Sequence, residues 1–179
     1  MMTRIDRLAG RIARARRIAV LTGAGVSVES GIPPFRGRGG LWERFDPMEY
    51  ATIGAFLNNP EKVWRVMLGE LNGLIVRARP GAGHIGLAKL EALGKPVTVI
   101  TQNVDGLHQQ AGSSAVIELH GPFARLRCLN CGAVSATAAT DFGILPPRCS
   151  CGGILRPECI FFGEEILPSD LLRSRQASA

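Results

Sequence analysis

The sequence predicts an α/β fold: a doubly wound parallel sheet interrupted by a small cysteine-bearing insert. Three observations carry that prediction. The apolar run Ile18-Ala19-Val20-Leu21 leads directly into the glycine-rich stretch "LTGAGVSVESGIPPFRG" over 21–37. A second β-branched run, "PVTVITQN" over 96–103, follows a long helix-like region, and buried parallel strands read as continuous apolar runs of this kind. Four of the five cysteines fall within 128–153, where the composition changes after Pro122. A strand, then helices, then another strand is the order of a parallel sheet with crossover helices.

The elements follow in order. Residues 3–16 read as a helix in which Arg4, Arg7, Arg11 and Arg14 recur every three or four positions around Ile5, Leu8 and Ile12, the pattern of an amphipathic helix with a solvated basic face. Residues 17–22 read as a buried strand. Residues 40–81 read as mostly helical, with breaks at Pro47, Asn58-Asn59-Pro60 and Pro80-Gly81, because proline and its neighbours end or start helices. A helix over 83–94 has Gly94 as its stop. Strands follow at 96–103 and 115–121. "RPECIFFGEEILP" over 156–168 is strand-like, and "SDLLRSRQASA" starts like a helix and stops.

The 179 residues suit one domain, or one domain with a small insert. A charged fraction of 20% against 46% hydrophobic residues excludes a disordered chain. No apolar run approaches the roughly 20 residues that span a bilayer. The N-terminal stretch has arginines where a signal peptide would have its apolar core, so a cytoplasmic setting is expected. The net charge is +6, and all but three of the 21 basic residues are Arg. With two Trp and one Tyr, a stacking platform for bases is poorly supported. A nucleic-acid-binding zinc ribbon would need basic residues massed around the cysteines, and only Arg125, Arg127, Arg148 and Arg156 stand there.

The cysteines form two close pairs, Cys128-x-x-Cys131 and Cys149-x-Cys151, seventeen residues apart. Two such pairs suit a tetrahedral thiolate site for one structural zinc, each pair gripping two corners from one turn. Four protein ligands leave no open position for catalysis. A cytoplasmic setting disfavours disulfides. Cys159 is left over in an apolar run, as a core residue.

Gly23-Ala24-Gly25 after a strand fits the start of a dinucleotide turn, whose backbone amides cradle a diphosphate. The third glycine of the usual fingerprint is absent, since position 28 is Val28. Taken with "TQNVDGLH", "IELHG", the paired cysteines and "LRPECIFFGE", in that order, the stretch resembles the sirtuin family of NAD-dependent protein deacylases. The resemblance runs from about residue 4 to about residue 170. It implies a Rossmann-type sheet built from approximately 1–38, 82–121 and 156–179, a helical part of a small domain over 39–81, and a zinc-ribbon module over 122–155. It implies NAD as the cofactor, one structural zinc, and acetyl-lysine-containing proteins as partners.

By similarity, Gly23, Ala24 and Gly25 face the diphosphate, Phe35 and Arg36 sit on a mobile loop over the nicotinamide ribose, and Gln102 reaches that ribose. Asn103 and Asp105 line the nicotinamide pocket and Ile32 walls it. His120 is the general base, a role an imidazole suits because it titrates near neutrality. Ile160, Phe161 and Phe162 form the lysine tunnel and the edge where a peptide adds as a strand. His84 and His108 are expected as cap or surface groups, and Glu29 as a helix N-terminal charge.

Departures are local except one. Position 34 is Pro, before Phe-Arg, and Glu158-Cys159 replaces the usual Asp-Val. The Tyr-x-x-Arg of members that prefer acidic acyl groups is absent from "VWRVMLGELNG" over 63–73, which points to an uncharged acyl group, acetyl first. The family continues past "FGE-x-LP" into the second half of its sheet, with the adenosine-binding elements, whereas this sequence ends at Ala179. An incomplete catalytic domain, from a fragment or a frameshifted gene, is therefore expected. Two functions follow: an NAD-dependent protein lysine deacetylase, or an inactive zinc-bearing relative that binds peptide or partners without turnover.

Overall fold

A computed structural model describes residues 3–179. Thr3 and Asp6 form a reciprocal capping box that starts helix α1 (Arg4–Arg14). Its basic face is solvated as expected, but none of its residues is buried, so the Ile5 and Leu8 side is exposed too. Strand β1 (Ile18–Thr22) follows. The helical region is broken where the sequence places the breaks. Asp46 caps α2 (Pro47–Tyr50), Thr52 caps α3 (Ile53–Asn58) and Asn59 caps α4 (Pro60–Val66). Proline opens α2 and α4 at a position where its missing N–H is no loss. A π-helical turn over Met67–Asn72 then leads into α5 (Gly73–Arg77). Helix α6 (Ala82–Ala92) ends just before Gly94, which takes φ 83°.

Strand β2 (Val97–Thr101), helix α7 (Leu107–Gln110) and strand β3 (Val116–Glu118) complete the first layer. The three strands are parallel in the order β1-β2-β3, with Val20 level with Val99 and Ile100 level with Ile117. β2 is central and nearly all buried, as its unbroken β-branched run requires.

The cysteine region is a second, antiparallel sheet: β4 (Arg125–Cys128) between β5 (Val134–Ala136) and β6 (Leu155–Pro157). Here the strand-like reading of 156–168 is corrected. β6 stops at Pro157 and pairs with β4, and the remainder is irregular apart from a single bridge from Phe162 to Thr52. The helical region and this sheet share one core of Phe56, Val63, Trp64, Phe123, Leu126, Leu155 and Phe161. The indole N–H of Trp64 donates to the Leu155 carbonyl at 2.9 Å, which ties α4 to β6.

The C-terminal stretch is also corrected: α8 runs from Pro168 to Ser178 without stopping. Proline at its start, Asp170 in the first turn and Arg175 in the last suit the helix dipole. Residues such as Leu171, Arg173, Gln176 and Ala177 are good helix formers, and the helix rests on β1 and β3, so propensity and packing together hold it despite its weak apolar stripe. No helix among the described residues is long and apolar enough to cross a membrane.

Candidate active site

The site grows from the carboxyl ends of β1 and β2. The chain leaves β1 at Thr22, passes an extended Gly23 and enters a 3-10 helix over Ala24–Ser30. The amide of Gln102 donates to the Thr22 carbonyl at 3.1 Å, which carries the β1–β2 pairing one step further. Gln102 and Asn103 are thereby held level with the glycine turn.

A cavity of about 530 Å³ opens beside them. Ala24, Phe35, Arg36, Gln102, Asn103, His120, Ile160, Phe161 and Phe162 all line it. A hollow of about 20 Å³ adjoins it, between Ala24, Ile32, Asn103 and Asp105 among others. Gly23 and Gly25 line neither. Sequence reasoning missed the far wall, where Leu41, Trp42, Phe45, Tyr50, Met67, Glu70 and Leu71 face the same space. All but Glu70 are apolar or aromatic residues that read as ordinary core, and only the packing of the helical region turns them inward. Phe35 stacks on Trp42 at 5.2 Å, Trp42 meets Phe162 at 6.4 Å, and the Arg36 guanidinium lies 6.0 Å from the Phe162 ring.

His120 follows β3 and is half-buried. Its Nδ1 lies 2.9 Å from the Gln102 carbonyl oxygen. A carbonyl only accepts, so Nδ1 carries a proton, and in the neutral ring Nε2 is the nitrogen with the lone pair. Gly121 then turns back with φ 65°, and a Cβ there would sit 2.6 Å from the Glu158 carbonyl; only glycine allows that approach. The Ile160 amide donates to the His120 carbonyl at 2.8 Å.

Asn103 is 6% exposed, and its side-chain amide donates to Ser27 Oγ at 3.0 Å. Ser27 Oγ donates to Asp105 at 2.7 Å. The second Asp105 oxygen accepts from the Leu107 amide and starts α7. Ser27, fully buried, is the hub of this network and was not singled out from the sequence. His84 is a cap group as expected, its Nδ1 accepting the Gly81 amide at the start of α6, but neither it nor His108 lies at the surface. They are 0% and 1% exposed, with ring centroids 4.6 Å apart, beneath Ser27 and Thr22. Burial pushes both imidazoles below their usual range, and His84 pushes His108 further down.

The four cysteines of the two pairs converge, with all their sulfurs within 4.8 Å of one another. Cys128 and Cys151 are 3.5 Å apart and Cys131 and Cys149 are 3.8 Å apart. A tetrahedron with metal–sulfur bonds of about 2.3 Å has edges of about 3.8 Å, so the set fits a closed tetrahedral ion. The Cys131 and Asn130 amides point at the Cys128 sulfur and lower its thiol to about 6, which favours the thiolate a metal needs. A Cβ at Gly153 would lie 2.6 Å from that sulfur, so glycine is required there. Cys159 stands apart, buried, with its thiol pushed up to about 12 by desolvation.

Comparison with known proteins agrees with this architecture. The profile of the Sir2 family matches residues 23–177. NAD-dependent protein deacylase 2 of Pyrobaculum aerophilum is 49% identical over 168 residues, covering 93% of this chain and 66% of the relative. The NAD-dependent protein deacylase of Aquifex aeolicus is 50% identical over 156 residues, covering 87% of this chain and 64% of the relative. The chain thus spans about two thirds of the length of these relatives. Among solved structures, a mutant Sir2 homologue with ADP-ribose superposes with a TM-score of 0.90 at 41% identity, covering 98% of this chain and 70% of that one. A Sir2 homologue with NAD gives 0.85 at 42% identity, covering 96% and 67%. The Sir2 family match over 23–177, with relatives about half identical across most of the chain and the same fold in solved Sir2 structures, places the chain in the Sir2, or sirtuin, family.

Proposed function

We propose that this chain acts as an NAD-dependent protein lysine deacylase, with an uncharged acyl group, acetyl first, as its substrate. The observation that carries the reading is the pairing of His120 Nδ1–H with the Gln102 carbonyl, at a cavity that Asn103 and Arg36 also line. It leaves Nε2 free to accept a proton. NAD supplies a ribose carbon activated by its bond to nicotinamide. The acyl-lysine carbonyl oxygen would bond to that carbon as the bond to nicotinamide breaks. His120 would take the proton of the neighbouring ribose hydroxyl, whose oxygen would bond to the acyl carbon, and would return a proton to the lysine nitrogen as its bond to that carbon breaks. Water would then add to the acyl carbon as its bond to the first ribose oxygen breaks, giving free lysine, nicotinamide and O-acyl-ADP-ribose.

Each remaining residue has a task in this scheme. Gly23, Ala24 and Gly25 offer backbone amides to the diphosphate. Phe35 and Arg36 cover the ribose, and Gln102 reaches it. Asn103 and Asp105, cross-linked by Ser27, pair with the nicotinamide carboxamide against Ile32. Ile160, Phe161 and Phe162 enclose the lysine stem of an acetylated protein. Glu70 lines the cavity and is paired with Arg44 at 2.7 Å. Cys128, Cys131, Cys149 and Cys151 hold one zinc that supports the fold and takes no part in the chemistry. The five unpaired cysteines suit a cytoplasmic setting.

The test is nicotinamide release from NAD with an acetyl-lysine peptide, beside His120→Ala. Peptide-dependent release that falls by about 10²-fold or more in the variant is expected. Equal release with and without His120 overturns its role as base. No release from folded, metal-loaded protein favours the alternative, a family member that binds peptide without turnover.

A further inference from the structure

Two buried histidines have no task in the reaction set out above. His84 on α6 accepts the Gly81 amide at Nδ1, 3.2 Å, so its proton is on Nε2, which lies 3.4 Å from Ser27 Oγ. His108 on α7 places Nε2 3.0 Å from Thr22 Oγ1, and its Nδ1 is buried with no partner. Thr22 and Ser27 bracket the glycine turn Gly23–Val26. Each end of the turn therefore hangs from one ring of a pair in contact, tilted 57° to each other with centroids 4.6 Å apart, and the rings come from two different helices. The turn is pinned from below as well, since a Cβ on Gly83 would meet Val26 at 2.8 Å.

We propose that His108 is a positioning residue for the glycine turn: with His84 it forms an uncharged brace that fixes Thr22 against Ser27, and one proton added to the pair releases it. A buried polar atom left without a partner is rare and costs about 1–3 kcal/mol, so the bare Nδ1 of His108 calls for a compensating role. The cationic ring carries a proton on both nitrogens, so Nδ1 is then a buried donor with no acceptor. On His84 it removes the acceptor of the Gly81 amide. In either case it sets a cation against a neutral ring out of water. Of the charged groups on the surrounding elements, Asp105 acts on both rings through its field. Glu29 and Lys89 are exposed, Glu91 is bonded to Ser114, and Glu118 lies behind Gln109.

The proposal rests on reading Gly23–Gly25 as the diphosphate turn, and its test separates the two. Hydrogen exchange at residues 23–27 and NAD binding by calorimetry are measured for wild type, His108→Leu and His108→Gln at pH 7.5 and 5.5. The leucine variant cannot bond Thr22. It should speed exchange in the turn, leave β2 unchanged and weaken NAD binding about tenfold. The glutamine variant can still hydrogen-bond Thr22 and does not titrate. It should match wild type at pH 7.5 and lose less affinity than wild type at pH 5.5. A folded leucine variant with turn exchange and NAD affinity within twofold of wild type overturns the brace alone. Faster turn exchange in that variant, with no NAD binding by wild type, overturns the cofactor reading and leaves the brace standing. Should the leucine variant fail to fold, the glutamine variant decides: an acid-side loss equal to that of wild type overturns the brace.

Discussion

Replacing Trp64 tests how the helical region and the cysteine sheet are joined. Its ring is fully buried, edge-on to Phe56 at 6.5 Å and tilted against Phe142 at 5.4 Å, and its N–H reaches the Leu155 carbonyl. Trp64→Ala removes the ring, at about 3–5 kcal/mol for a large core aromatic. It also strands the Leu155 carbonyl, for about 1–3 kcal/mol more. Trp64→Phe keeps most of the apolar contact but still strands that carbonyl, so about 2–3 kcal/mol is expected. Against a domain stability of about 5–15 kcal/mol, the alanine variant should be partly unfolded and the phenylalanine variant folded but weakened. Urea denaturation followed by circular dichroism, on metal-loaded protein, gives both values. A phenylalanine variant within about 0.5 kcal/mol of wild type would refute the hydrogen bond as the joint. Equal loss in both variants would refute the packing contribution of the ring.

Two further outcomes follow from the geometry. Elemental analysis should find one zinc per chain, and a strong chelator or Cys128→Ser should lower the melting temperature sharply, because metal-binding energy is folding energy at such a site; a melt indifferent to both would remove zinc from the fold. Acid should weaken the fold from near neutrality. His84 and His108 titrate below 6.5 in the folded chain, so the unfolded chain binds more protons, and stability falls as pH drops below 6.5 by at most about 1.4 kcal/mol per pH unit for each. Glu118, raised by burial, acts in the opposite sense above its ordinary 4.5 and offsets part of this. A urea midpoint that does not move between pH 7.5 and 5.5 would refute the buried, neutral pair.

Much of this molecule is legible in its sequence for physical reasons. β2 must be central because five consecutive apolar and β-branched residues have no polar face. The two cysteine pairs announce a common ligand because nothing in ordinary packing clusters thiols so. His120, Asn103 and Asp105 lie in short stretches directly after strands, where a sheet delivers its functional groups. Ser27, His84 and His108 are different. They come from three elements spread over some eighty positions, and each alone reads as a turn or cap residue. The cavity wall from Trp42 to Leu71 is hidden for a related reason, since its apolar residues look like any helix core. The end of the chain misleads in the other direction: α8 holds by propensity, charge placement and its seat on β1 and β3, and apolar periodicity alone sees none of these.

The contact between Gly121 and the Glu158 carbonyl, with the Ile160 amide on the His120 carbonyl, couples two walls of one cavity. The backbone that carries the imidazole is fastened to the backbone of 158–162, while the ring itself is held by the Gln102 carbonyl on the sheet side. Under the proposed function, a peptide that shifts 158–162 on docking would pull residue 120 with it, so the spacing between His120 and a bound lysine would change less than the position of either.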